Sequence, residues 1–159
     1  DVVSSIKQRV AAKENQKFVV FVVGMRINKL WAFHQWLPVV SAMPSMVIEQ
    51  IRNRSIGVVG IPRTFVSGRL IQVQQCWKTY EDLDNYSKGA LHAPAWSRFN
   101  QAARKSTAVG IYHETYEINR AGYEAIYVNV GKPILLGDAI GVQEIANNSS
   151  SRKRIYGGK

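Results

Sequence analysis

The polar and apolar positions change period several times along the chain. FVVFVVGMRI, residues 18–27, is a nearly unbroken apolar and β-branched run, which predicts a strand covered on both faces. From there the period becomes helical: Leu30, Phe33 and Leu37 recur at three- and four-residue spacing until Pro38 interrupts. A second helical piece is expected beyond it, with Met43, Met46, Val47, Gln50 and Ile51 on one face. Pro44 suits its first turn, and Arg52 and Arg54 suit its C-terminal end. Two short strands follow, 55–62 and 69–77, joined by a turn containing Ser67 and Gly68; in the second, Ile71, Val73, Gln75 and Trp77 share a side. Thr79 then reads as a helix N-cap with an acid, Asp82, three residues on, and Gly89 ends that helix. Pro94 begins another, which carries Trp96, Phe99 and Ala103 toward a core. Residues 109–118 and 123–130 are expected to close as a hairpin around 119–122, and residues 2–16 to form a short polar helical arm.

The resulting order, β-α-β-β-α-β-β, is a ferredoxin-like α+β core with an extra strand. It divides the chain into an N-terminal helical arm (1–17), one α+β domain (18–146) and a basic, flexible tail (147–159). Phosphate-cradling loops of the P-loop and Rossmann types are excluded, since no glycine-rich fingerprint follows a strand.

Composition narrows the picture a little. The 159 residues are 46% hydrophobic and 20% charged, too apolar for a disordered chain and long enough to bury a core without a staple. A single cysteine, Cys76, excludes an internal disulfide and any paired-cysteine metal site. No apolar run reaches the roughly 18–20 residues of a membrane span, and the opening DVVSSIKQRV has no signal-peptide layout. The expected compartment is reducing, the cytoplasm. Twenty-one basic against eleven acidic residues give a net charge of +10, of which the two terminal segments carry six. That placement reads as solvated termini, and nucleic acid is not an expected partner.

Three histidines are the main chemical candidates. His92 lies just before the helix that Pro94 begins, where the positive helix end disfavours imidazolium. A neutral ring there either caps the helix, accepts a proton or ligates iron. His113 lies mid-strand on the side of Val109, Ile111 and Thr115, while Tyr112, Glu114 and Tyr116 point the other way. Glu114 between two tyrosines is either a perturbed carboxylate or simply their hydrogen-bond acceptor. His34 sits among Trp31, Phe33 and Trp36, an aromatic wall that suits a greasy ligand and a core equally. Arg26 ends the first strand beside Asn28 and needs a partner, either an acid of the protein or a substrate carboxylate. Trp77 and Trp96 complete the set, Trp77 reading first as core. Histidine–carboxylate metal spacings and a nucleophile elbow are both absent from the sequence.

Taken together, GMRINKLWAFHQWLPV, VQQCWKTYEDLDNYSKG, LHAPAW with RFN, and VGIYHETYEI with YVNVGKPILLG resemble the monooxygenase-like family that includes a fungal fumagillin-pathway enzyme. That family lies within the antibiotic-biosynthesis-monooxygenase superfamily. The resemblance implies a dimeric α+β barrel, two protomers pressing their sheets together, with a pocket between the sheet and helices of each. Relatives of this kind either use dioxygen without a cofactor or bind haem; some degrade haem, and aldoxime dehydratases are more distant haem-binding kin. The haem-degrading branch places an Asn, a Trp and a His where Asn28, Trp77 and His92 fall here.

The reading that follows is an oxidoreductase of monooxygenase type acting on a hydrophobic small molecule, as a homodimer. His92, His113, Glu114 and Asn28 are its catalytic candidates, and Arg26, Trp31, His34, Trp77, Trp96 and Tyr112 its substrate-binding ones. If haem is bound, His92 or His113 is its ligand; the alternative is a non-catalytic haem or small-molecule binder on the same fold.

Overall fold

The computed structural model describes residues 9–90, 92–146 and 150–156. Its main sheet has four antiparallel strands, β2 (Lys17–Ile27), β3 (Val58–Ser67), β4 (Leu70–Trp77) and β5 (Val109–Asn119), in the order β3-β4-β2-β5. Helix α1 (Phe33–Arg52) connects the first two of these. Helices α2 (Tyr80–Ser87) and α3 (His92–Lys105) connect the last two. This is the ferredoxin-like α+β arrangement expected, with β2 central because it is the most continuously apolar strand.

Register decides what each sheet face carries. Val23 lies opposite Val73 and His113, and Phe21 opposite Gln75 and Thr115. The odd-numbered residues of β2, β4 and β5 therefore share the face that the helices cover, as the alternation in β4 and β5 predicts. The opposite face carries Arg26, Gln72, Tyr112, Glu114 and Tyr116. Glycine is required at one point of that face. A Cβ on Gly24 would fall 2.5 Å from the ring of Tyr112, which lies across it. Two buried clusters sit on the helical face: Val19, Val58, Trp77 and Leu83 toward one end, Met25, Ile27, Val39 and Val109 toward the other.

Three expectations are corrected. Helix α1 is continuous through Pro38 and Pro44 instead of breaking into two pieces. Each proline removes one backbone donor, but the inward face of the helix stays apolar throughout, and its burial holds the turns together. The hairpin after β5 does not form either. The segment that follows instead supplies β6 (Ile126–Tyr127), which pairs with β1 (Val10–Ala12), and β1 pairs in turn with β7 (Val142–Glu144). The predicted helical arm is thus a strand where it is described, at the centre of a second sheet, β6-β1-β7. Its residues 2–8 lie outside the described residues.

In the expected flexible tail, Ser151–Tyr156 forms a short helix, α5, rather than an open chain. The Nε of Arg154, whose side chain is 4% exposed, donates to Glu124 Oε2 at 2.6 Å. Ser151 Oγ donates to the other oxygen of the same carboxylate, and these donors hold its pKa below the usual range. Residues 147–149 and 157–159 lie outside the described set. Helix α4 (Leu136–Ile140) packs on β3 at a bulge between Val59 and Arg63. The Ile61 N–H released there donates to Asp138 Oδ2 at 2.7 Å.

Candidate active site

A cavity of about 250 Å³ lies between the helical face of the sheet and helices α1, α2 and α3. Its floor is Phe21, Val23, Val73, Ile111 and His113, and its roof is Val39, Met43, Met46 and Val47 of α1. Trp96, Phe99 and His92 of α3 close one side. Its polar groups are Gln50, Gln75 and Thr115, with Tyr80, Asp84, Tyr86 and Ser87 on the α2 side, and the two imidazoles; among the described residues no Lys or Arg lines the cavity.

His92 is the first residue of α3, which starts two residues before the Pro94 start expected from the sequence and keeps Pro94 in its first turn. Its Nε2 is buried and has no hydrogen-bond partner. The ring packs on Tyr86 with centroids 4.0 Å apart. Burial holds its pKa below the ordinary 6.5, against the opposing pull of the Glu49 carboxylate. The ring is therefore neutral at pH 7 and has an in-plane nitrogen unused by the protein. His113 reaches the same cavity from β5, framed by Trp96 at 5.9 Å and Phe21 at 6.0 Å between ring centroids.

Beside His92 lies a polar group that sequence reasoning missed. The Tyr86 hydroxyl donates to Glu49 Oε2 at 3.2 Å. Burial, then the negative charge of Glu49, push the phenol pKa well up, while the Gln50 amide works the other way. Gln50 is 1% exposed, and its Oε1 has no partner. The amphipathic pattern of α1 placed Gln50 on the inward face; a glutamine at an apolar position was the signal available. Gln75 is occupied, accepting from Trp77 Nε1 at 2.9 Å.

The remaining candidates fall elsewhere. Trp77 is fully buried in the core beside Val19, Val58 and Leu83, outside the cavity wall. Arg26, Tyr112 and Glu114 lie on the opposite sheet face. There Arg26 donates to Asn28 Oδ1, Tyr112 to Gln72 Oε1, and Tyr116 to Glu114 Oε2. Asn28 is further fixed by donating to the Thr107 carbonyl at 3.0 Å, at the end of the sheet. Trp31 is 75% exposed. His34 lines a second cavity, of about 660 Å³, between α1 and α3, which shares the walls Val39, Met46 and Phe99 with the first. Of the ten candidates, the fold brings together His92, His113 and Trp96.

Comparison with known proteins gives the lineage. The family model described as Monooxygenase af470-like matches residues 18–136, three-quarters of the chain. The chain belongs to that family. The matched span contains the main sheet apart from Lys17 and every residue of the cavity wall, while β1, β7 and α5 lie outside it. Monooxygenase af470 of Aspergillus fumigatus is 37% identical over 71 residues, which cover 45% of this chain and 25% of that protein. The chain therefore aligns with about a quarter of this relative's length. Among solved structures, an aldoxime dehydratase superposes with a TM-score of 0.66 at 16% identity, covering 84% of this chain and 42% of that one. At that identity the likeness is one of fold. SnoaB, a cofactor-independent oxygenase from Streptomyces nogalater, has a TM-score of 0.42 at 11% identity, covering 63% of this chain and 91% of its own.

Haem is the one cofactor the family reading raises. The neutral His92 ring with its free Nε2 has the chemistry of an axial ligand. The chamber taken alone is small for the macrocycle, and the cations Arg98 and Lys105 line only the second cavity. At about 250 Å³ it lies under the ~300–1,000 Å³ of drug-sized sites, and among the described residues no lining cation is present to pair with propionates. Arg26, the carboxylate partner suggested by sequence, is on the far side of the sheet.

Proposed function

We propose that the chain is a monooxygenase-type oxidoreductase that oxidises an apolar small molecule with dioxygen in the cavity beneath α1, without a cofactor. The supporting observation is the neutral, unpartnered imidazole of His92 in a chamber whose floor and roof are mostly aliphatic, thioether and aromatic groups. A substrate methylene made acidic by flanking carbonyl or aromatic groups would give up one of its two protons to His92 Nε2. The resulting carbanion is oxidised by dioxygen, and a C–O bond forms to give a peroxide anion on that carbon. His92 returns its proton to the terminal oxygen, giving the hydroperoxide. Loss of water then removes the second hydrogen of the methylene, cleaves the O–O bond and leaves a ketone. Overall, one methylene and one dioxygen become one carbonyl and one water, each product taking one oxygen atom. Low polarity keeps the carbanion from bulk protons, and the second imidazole, His113, orients the substrate oxygen.

The oligomer in this reading is a homodimer closed through the opposite sheet face. Phe65 and Tyr116, 44% and 49% exposed there, are the side chains such a closure would cover.

The test is turnover of an anthrone-type substrate under oxygen, with an absorption spectrum of protein purified from haem-replete cells. Expected are a product ketone, loss of at least ~100-fold in kcat in His92→Ala, and no Soret band. Unchanged turnover in both His92→Ala and His113→Ala would overturn the assignment. A stoichiometric Soret band lost in His92→Ala would replace the cofactor-free reaction with a haem protein.

A further inference from the structure

Helix α1 is apolar on both sides. Its inward residues roof the cavity, yet its outward side is not the charged face that a surface helix normally presents. Phe33, Leu37, Ser41, Pro44, Ile48 and Ile51 follow one another at spacings of four and three, which places them in one stripe along the helix. All six are exposed, and Phe33, Leu37, Ile48 and Ile51 are 61, 51, 45 and 41% accessible. Just before the helix, Leu30 and Trp31 add 50 and 75%. No charged residue occurs between Lys29 and Glu49.

The charges that frame this stripe are cationic. Lys29 precedes it, with Arg69 held close by its hydrogen bond to the Asn28 carbonyl. Arg52 and Arg54 follow it, both exposed. The one acid of the helix, Glu49, accepts the hydrogen bond of Tyr86, on the cavity side. A second copy seated on the stripe in a two-fold arrangement would bring cationic ends against cationic ends, parallel or antiparallel. The charges favour an anionic occupant with an apolar interior.

From this we propose that α1 docks on an anionic membrane surface, lying in the plane of the interface with Trp31, Phe33, Leu37, Ile48 and Ile51 entering the headgroup–acyl boundary. Lys29, Arg52, Arg54 and Arg69 would meet lipid phosphates. Its twenty residues give about 30 Å of contact along the bilayer surface. The helix lies on the bilayer without crossing it; among the described residues no helix is long and apolar enough to span one.

The test uses the full chain and sedimentation with vesicles of phosphatidylcholine alone or mixed with phosphatidylglycerol. Binding is expected to the mixed vesicles, falling steeply with salt. Because both side chains would leave the acyl boundary, Leu37→Ser/Ile48→Ser is expected to weaken partitioning by at least ~tenfold. Arg52→Glu/Arg54→Glu is expected to abolish the preference for phosphatidylglycerol. Both pairs are exposed, and circular dichroism and unfolding curves check that they fold as the parent does. No sedimentation with mixed vesicles overturns the proposal. So does self-association, read by analytical ultracentrifugation, that Leu37→Ser/Ile48→Ser dissolves while vesicle binding is unchanged. Capture of RNA in place of vesicles also overturns it. None of these outcomes depends on the oxygenase reading, which is tested by turnover in the absence of lipid.

Discussion

His92 makes stability depend on pH in a defined direction. Its folded pKa is lowered, by burial chiefly, so near and below 6.5 the unfolded chain binds the proton more readily. The contribution of the neutral ring is complete above that value and is lost as pH falls through it toward the folded pKa. Denaturation midpoints measured across pH 7.5–4.5 are expected to fall on acidification, with His92→Phe removing part of that slope. A variant slope equal to the parent's would mean that the ring is not held neutral. Turnover should decline over the same window, because a protonated base cannot accept the substrate proton. How far such residues are legible in sequence depends on locality. That His113 faces away from Tyr112 and Glu114 follows from strand alternation alone, and that His92 lies at a helix start follows from Pro94. That Gln50, Tyr86 and Glu49 meet beside His92 depends on α1 crossing α2, which no local spacing encodes. The same gap explains why Arg26 was a candidate: its position at the end of β2 was readable, but the face it occupies took the register of three strands to assign.

At the level of elements, α1 carries an unusual load. Pro44 is exposed and deletes the backbone donor to the Val40 carbonyl in a helix interior. Pro44→Ala is expected to stabilise the protein by up to ~3 kcal/mol, measured by chemical denaturation, because it restores that bond and removes no buried packing. A destabilised variant would show that the proline is required for the path of the helix. The periodic reading split α1 at the prolines because propensity was all it could weigh, and the burial that overrides propensity is tertiary. The missing hairpin has a related cause. Residues 119–122 look like a turn, and Gly122 does adopt a left-handed φ of 86°. The chain beyond them nevertheless pairs with Val10–Ala12. Pairing between segments more than a hundred residues apart leaves no periodic trace in either. Within the main sheet each strand is patterned strongly enough to be recognised alone, but β3 runs over Val58–Ser67 instead of the expected 55–62, because Arg54–Ile56 forms a 3-10 turn and the strand continues to the turn at Gly68.

Over the whole molecule, closure comes from the ends of the chain. The second sheet joins Val10–Ala12 to Val142–Glu144, and α5 is fastened to Glu124 by Arg154 and Ser151. Arg154→Ala leaves that carboxylate without its charged donor and is expected to cost about 1.5–3 kcal/mol, read as a lowered denaturation midpoint. An unchanged midpoint would make α5 an independent appendage. One further feature sits under this closure. Cys76, the sole cysteine of the chain, is buried, and its thiol pKa is raised to about 11 by burial and by Asp138. An alkylating reagent reacts with thiolate, so in the native state the sulfur is protected twice, by inaccessibility and by protonation. The protein thus contains a built-in reporter of its own opening. The rate at which a maleimide or iodoacetamide marks Cys76 in native buffer would count excursions that expose the centre of the sheet, at a single covalent site and without any label introduced by mutation.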